Sequence, residues 1–192
     1  MNNNPAFFNS VGRLRSGWRF AIFAFTFLSA SIFVGFITLV ATQIVTNDQK
    51  ATFLNTPWGF FITSAISTLL ATLLGWLCGK LLEELPFKAL GWVFDKTWMK
   101  DYLLGMILGI ATLTLAIILA MPAGGISFSF NQISGLNSIL KSVATSFAVF
   151  FIAAAFEEVL FRGYILQTLA RANLAWLGIL LTSLPFAFVH LN

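Results

Sequence analysis

Charge is scarce in this chain. Of its 192 residues, 11 are Lys or Arg and 7 are Asp or Glu, so charged residues make up 9%, against roughly 25% in a soluble domain. Hydrophobic residues make up 58%, more than a chain this short could bury in water. The composition excludes a soluble globular enzyme, a disordered chain and a nucleic-acid-binding domain, and it favours a lipid bilayer as the solvent. The net charge of +4 therefore bears on membrane orientation rather than on an acidic partner.

Cysteine and histidine each occur once. Cys78 cannot form a disulfide within the chain, and its apolar neighbours predict a small buried hydrophobic residue. His190 is the single imidazole, so a metal site that needs two or three imidazoles cannot be built from this chain alone.

Long apolar stretches dominate the sequence. A spanning helix needs about 20 mostly apolar residues, and five stretches are candidates. They are residues 20–45, a segment between Lys50 and Lys80 that is densest at 60–78, residues 102–121, residues 142–171 and residues 174–189. The first exceeds a signal-peptide core of 7–15 residues, so we expect it to be uncleaved. We predict an all-α, multi-pass transmembrane helical bundle with five spanning helices.

Basic residues predict the orientation of these helices. They cluster before the first helix, between the second and third, and after the fourth, places that share one side if five helices alternate. The basic residues on this side are Arg13, Arg15, Arg19, Lys80, Lys88, Lys96, Lys100 and Arg171, whereas the opposite side has Lys50 and Lys141. We therefore expect a cytoplasmic N-terminus, in a bacterial plasma (inner) membrane.

Two segments mix charged and bulky apolar residues. Residues 83–101, between helices two and three, predict an amphipathic segment on the cytoplasmic surface. Residues 1–19 form a weaker, basic interfacial segment. Ordinary interfacial anchoring explains both patterns as well.

A pair of carboxylates and an arginine interrupt the fourth apolar stretch. Glu157 and Glu158 lie roughly 20–25 Å from either end if the helix is continuous. Each charge at that depth costs about 2.5–3.5 kcal/mol, so such residues usually face a partner or a water-filled cavity. The alternative is a helix that breaks at Gly163, with the charges extending to the cytoplasmic interface.

The spacing of these charges separates their roles. Glu158 and Arg162 are four residues apart and can pair on one helix face. Glu157 points about 100° away and is freer to act as a general base for a water.

A second motif follows on the next helix. Phe186 and His190 are four residues apart and share a helix face. With the turn near Ala172, Glu157 lies 15 residues before it and His190 lies 18 after it, so an antiparallel hairpin places them at similar depth. Such a Glu and His can activate water and stabilise an oxyanion, although a single His is also often a satisfied core residue.

Together, Glu157-Glu158-x-x-Phe161-Arg162-Gly163 and Phe186-x-x-x-His190 resemble the CPBP family, the type II CAAX prenyl and bacteriocin-processing intramembrane proteases, also called Abi. The resemblance covers residues 139–192. It implies an intramembrane endopeptidase with a peptide or protein substrate at the membrane. It also implies that Glu157 activates water, that Glu158 and Arg162 support and orient it, and that His190 binds the water or the oxyanion.

One family feature is missing. The family carries a third motif, a His followed four residues later by a small polar residue, and this chain ends at Asn192 before it. We therefore expect a C-terminally truncated chain with little activity. The family has been described both as metalloproteases and as glutamate-dependent proteases, so no cofactor is predicted here, while a divalent metal in the complete protein is left open. This suggests three regions: residues 1–19, residues 20–138 with three helices, and a partial protease core at 139–192.

A non-enzymatic membrane protein, transporter-like or a scaffold subunit, is the alternative. It predicts that Glu158 and Arg162 pair fully while His190 faces lipid or another helix. The sequence identifies neither a substrate nor an oligomeric state, and it indicates no nucleic-acid partner.

Overall fold

The structure, a computed structural model, describes residues 4–9, 12–45, 54–91, 93–129 and 135–191. Within these ranges the chain is helical and has no strand, only an isolated bridge between Phe8 and Leu14. The predicted all-α class is confirmed. The helices are α1 (Ser16–Val45), α2 (Pro57–Glu83), a 3₁₀ turn (Phe87–Leu90), α3 (Trp98–Ala120), α4 (Leu136–Glu157), a π-helix (Glu158–Ile165), α5 (Leu166–Arg171) and α6 (Ala175–Val189). Lys50 and Asn192, which were used in the interpretation of the sequence, lie outside the described residues.

Four described stretches are long and apolar enough to cross a membrane, and a fifth is shorter. The four are Ser16–Ala41, Pro57–Glu83, Trp98–Ala120 and Leu136–Arg171. The fifth predicted span corresponds to α6, which has 15 residues where a full crossing takes about 20. The described part of the chain is therefore a multi-pass helical protein, with four long helices and one shorter helix at the five places where spanning helices were predicted.

The chain divides into two compact units, residues 1–92 with 142–192 and residues 93–141. In the second unit α3 begins at a turn built by Asp95. Its Oδ1 accepts hydrogen bonds from the backbone N–H groups of Thr97 (2.8 Å) and Trp98 (3.0 Å). The donors on Thr97, and then Trp98, hold the pKa of Asp95 below its usual range because they stabilise its charged form.

Helix α2 is the centre of the first unit and packs through small residues. Its buried positions are Gly59, Ser64, Thr68, Ala71, Gly75, Cys78, Gly79 and Glu83. Lipid tails remove the hydrophobic drive between helices, so close backbone approach through small side chains holds them together. A Cβ on Gly75 would lie 3.3 Å from the Tyr164 Cβ, which shows how closely the π-helix approaches.

The core of this unit lies between α1, α2 and the π-helix. Phe23, Tyr164 and Leu169 are almost fully buried, and the Phe23 and Tyr164 rings are 5.3 Å apart. Cys78 is 8% exposed and belongs to this cluster, so the prediction of a small buried residue is confirmed.

The segment 83–101 is not a single amphipathic helix. Glu83 ends α2, and Glu84 adopts the left-handed conformation (φ 58°) with its N–H on the Gly79 carbonyl. Such a residue terminates a helix, and Pro86 then precedes the short 3₁₀ turn. Leu90 packs into the core, so the first part of the segment anchors α2. Its place at the membrane surface stays a prediction.

Candidate active site

The helix that carries the first motif changes its winding at the motif itself. α4 ends at Glu157, and the π-helix runs from Glu158 to Ile165, with a kink at Gly163 (ψ −112°). A continuous helix was one of the two alternatives left open by the sequence. The chain does stay helical through α5 to Arg171, but its α-helical winding ends at Glu157. The proposed break at Gly163 occurs only as a kink. π-Helical turns are rare in proteins, and those that do occur are often found at functional sites.

The π-helix has one buried and one open face. Val159, Tyr164 and Ile165 are buried. Glu158 and Arg162 lie on the open face, where their side chains are 56% and 65% exposed and form an ion pair. This pairing, four residues apart, is the one predicted from the spacing.

A tight turn returns the chain toward the motif. α5 ends at Arg171, Asn173 takes the left-handed conformation (φ 59°), and α6 begins at Ala175. Gly178 lets α6 approach closely, since a Cβ there would lie 3.4 Å from the Leu169 Cβ. The turn lies where the sequence placed it, so α6 is the second arm of an antiparallel hairpin.

This hairpin brings Glu157 and His190 together. Their nearest atoms, Glu157 Oε1 and His190 Nε2, are 3.7 Å apart. The His190 Nδ1 lies 2.8 Å from the Phe186 carbonyl oxygen. Because a carbonyl only accepts, Nδ1 must carry a hydrogen, and Nε2 is the nitrogen that faces the carboxylate. The separation exceeds a direct hydrogen bond and suits two groups that act on one small molecule.

Aromatic rings support His190. The Phe186 ring stacks on the imidazole with centroids 4.4 Å apart, and Phe161 meets Phe186 edge-on at 5.8 Å. The predicted sharing of one face by Phe186 and His190 is therefore seen, and Phe161 of the first motif contacts the second motif through Phe186.

A small cavity lies beside the carboxylates. Its volume is about 150 Å³, enough for roughly five waters at about 30 Å³ each. The lining residues are Ala154, Glu157, Glu158, Phe161, Arg162, Thr182, Ser183 and Phe186. Three of the four predicted site residues thus line one cavity. His190 is not among the lining residues and reaches the site through its contact with Glu157.

The donor set at this site does not match a metal centre. A catalytic zinc ion takes three protein ligands. Within the described parts of the chain, no three His, Cys, Asp or Glu residues cluster in that way. Glu157 and His190 supply two donors, and Glu158 is held by Arg162.

A second charged cluster, which we name the Glu83 node, was not identified from the sequence. It consists of Glu83, Arg19, Arg171 and Thr168. Glu83 accepts hydrogen bonds from Arg19 Nη1 (2.7 Å), Thr168 Oγ1 (2.9 Å) and Arg171 Nη2 and Nε (2.9 and 3.1 Å). Its carboxylate side chain is 3% exposed. An acid at the end of an apolar stretch, on the side where the basic residues cluster, is the signal that could have predicted the node.

The node also fixes the arrangement of the helix ends. It joins the start of α1, the end of α2 and the end of α5, so these three places lie at one end of the first unit. Alternation of basic residues had predicted the same grouping.

Several long apolar helices define a multi-pass helical membrane protein. Its residues 139–192 match the family model of Rce1-like type II CAAX prenyl endopeptidases. The match confirms the resemblance for the segment that carries both motifs, and it supports protease activity in general. No curated protein and no solved structure matches the chain.

Proposed function

We propose that this protein is an intramembrane endopeptidase in which Glu157 activates the attacking water. The observation that carries the proposal is the 3.7 Å approach of Glu157 and His190 from two helices. It occurs within the segment that matches the endopeptidase family. The substrate is a peptide or protein that reaches the membrane.

The chemistry follows from the two groups. Glu157 takes a proton from water as the water oxygen bonds to the carbonyl carbon of the scissile peptide. His190 donates a hydrogen bond from Nε2, in its protonated form, to the oxyanion that develops. The C–N bond then breaks, and Glu157 returns its proton to the departing amine. The products are a carboxylic acid, which keeps the second proton of the water, and an amine.

Glu158 and Arg162 act as positioning residues in this scheme. Their ion pair keeps the Arg162 guanidinium beside the cavity that Glu157 lines. The pair occupies Glu158, which leaves Glu157 as the carboxylate available to water.

We place the protein in the plasma membrane with a cytoplasmic N-terminus. The basic residues Arg13, Arg15, Arg19 and Arg171 gather at the end where α1 begins. Basic residues accumulate on the cytoplasmic side of membrane proteins.

The non-enzymatic alternative shares only part of this geometry. Both hypotheses expect the Glu158–Arg162 pair. The alternative also expects His190 away from Glu157, whereas the two side chains approach to 3.7 Å. The geometry therefore favours the hydrolase.

The proposal is tested with the full chain in nanodiscs and a quenched fluorescent peptide that ends in a prenylated CAAX sequence. Because this chain lacks the third family motif, we expect its cleavage to be slow. Glu157→Gln removes the base and should lower that cleavage about 10²–10⁴-fold, to the background rate. Glu84→Gln, the same chemical change at a side chain that is 83% exposed, should leave cleavage unchanged. Wild-type rates in the Glu157→Gln variant would exclude Glu157 as the base.

A second measurement tests the site without a substrate. Cysteines replace Glu157 and His190 in a Cys78→Ser background, and a short bifunctional thiol reagent is added. We expect intramolecular cross-linking, and none when cysteines replace Glu84 and His190. Absence of the first cross-link would mean that the two motifs do not meet, and the proposed mechanism would fail.

A further inference from the structure

A large cavity opens at the Glu83 node, and it shares no lining residue with the cavity of the candidate active site. Its volume is about 1060 Å³, and it lies where α1 begins and where α2 and α5 end. Arginines supply much of its polar lining. The basic lining residues are Arg13, Arg15, Arg19 and Arg171, and Glu83 is the carboxylate among the lining residues.

The charges of this lining do not balance. Glu83 is shared by Arg19 and Arg171, so one carboxylate faces two guanidinium groups. The Nε of Arg19 is buried and has no hydrogen-bond partner in the described part of the chain. Arg15 donates its Nε to the neutral carbonyl of Pro5 (2.7 Å). The cavity therefore carries an excess of positive charge within a partly desolvated wall, where attraction for an anion is stronger than in water.

The backbone adds to this positive potential. Ser16 and Gly17, the first residues of α1, line the same cavity. The helix dipole is positive at this end. The N–H groups of Trp18 and Arg19 already donate to the Arg15 carbonyl, so the backbone contribution comes from the dipole and from the first two residues of the helix. Trp18 also lines the cavity, and its indole N–H donates to the Ala6 carbonyl (3.1 Å), which fastens the preceding segment to the start of α1.

We expect this cavity to lie at the depth of lipid headgroups. It is bounded by the ends of three stretches long and apolar enough to span a membrane. Guanidinium groups bind phosphate oxygens in bidentate fashion, and helix N-termini are common phosphate sites. We propose that this cavity binds an anionic phosphate group at the membrane surface. The group belongs to the headgroup of an anionic phospholipid or to a soluble phosphate, and the experiment separates these two sources.

The proposal is independent of peptide hydrolysis and is tested by binding. The full chain in neutral detergent micelles is titrated with phosphatidylglycerol, with phosphatidylcholine and, separately, with inorganic phosphate, and thermal unfolding reports binding. Arg13→Gln/Arg15→Gln is the test variant, because both residues are exposed or half-exposed. Lys96→Gln/Lys100→Gln is the control with the same loss of charge, at exposed residues outside the cavity.

We expect phosphatidylglycerol to bind more tightly than phosphatidylcholine. Each arginine near the surface contributes about fivefold, so the double arginine variant should bind about 25-fold more weakly, and the lysine variant less than twofold. A response to the lipid alone assigns the site to a headgroup. A response to inorganic phosphate with the same arginine dependence assigns it to a soluble phosphate.

Two results would overturn the proposal. The first is that neither phosphatidylglycerol nor inorganic phosphate shifts unfolding more than phosphatidylcholine does. The second is an equal loss in the arginine and lysine variants, which would show attraction by overall charge only. Arg13→Gln alone, with an expected fivefold effect, replaces the double variant if the latter does not fold.

Discussion

Glu83 and Glu84 are neighbours in sequence with opposite surroundings, and they offer a matched test of the Glu83 node. The Glu83 side chain is 3% exposed and accepts four hydrogen bonds, three of them from guanidinium groups. The Glu84 side chain is 83% exposed and meets Arg13 at 3.5 Å. We expect Glu83→Gln to destabilise the fold strongly and Glu84→Gln to leave it nearly unchanged.

The magnitude follows from what the substitution leaves behind. Glutamine keeps one acceptor and turns an amide donor toward guanidinium donors. Arg19, whose side chain is 9% exposed, then has a buried charge without a counter-ion, whereas Arg171, at 29%, regains some water. Removing one partner of a buried pair costs about 3–5 kcal/mol. We expect about 3 kcal/mol, because Arg171 is partly hydrated. An exposed pair such as that of Glu84 contributes about 0–1 kcal/mol.

The assay is equilibrium unfolding in mixed micelles, with the two variants measured beside the wild type. A double-mutant cycle with Arg19→Gln isolates the pair, and the loss from Glu83→Gln should shrink when Arg19 is already replaced. An exposed ion pair contributes at most about 1 kcal/mol. If the unfolding free energies of Glu83→Gln and Glu84→Gln differ by less than that, the node does not hold the three helix ends together.

The close packing of α2 and the turn before α3 give two further predictions. Gly75→Leu should lower the free energy of unfolding by about 1–3 kcal/mol through overpacking, because a Cβ there would already lie 3.3 Å from the Tyr164 Cβ. Gly35→Leu is the control, because a side chain there enters open space. The same unfolding assay compares the two variants, and equal losses of stability would contradict the close contact at Gly75. The pKa of Asp95 is lowered. At a pH above its ordinary pKa the carboxylate is charged and orders the turn. As the pH falls through the lowered pKa, the carboxylate is protonated and the turn loses these hydrogen bonds. Below about pH 4, amide exchange at Trp98, corrected for its intrinsic rate, should accelerate, and unchanged protection would argue against this capping role.

Part of the candidate site was predictable because it depends on spacing alone. Glu158 and Arg162 pair because residues four apart share a helix face, whatever surrounds them. Glu157 and His190 meet because their distances from the turn at Ala172 are similar, and helical rise per residue is nearly constant. Local geometry therefore sufficed for both contacts.

Other features were beyond the reach of spacing. The sequence left open whether the helix through Glu157 continues or breaks at Gly163, and it did not indicate the π-helix from Glu158 to Ile165. The buried face of that segment packs against α2, where Gly75 admits Tyr164. Winding that depends on a neighbouring helix cannot be read from one helix alone.

The sequence by itself determined that this chain belongs in a membrane, that it is all helical and where most of its long helices lie, because apolar length and scarce charge follow from composition and order. It also determined the hairpin that joins Glu157 to His190. Only the tertiary structure decided that Glu83 gathers Arg19 and Arg171, since these residues are far apart in sequence. Their contact depends on how closely α1, α2 and α5 pack, which small residues allow but do not specify.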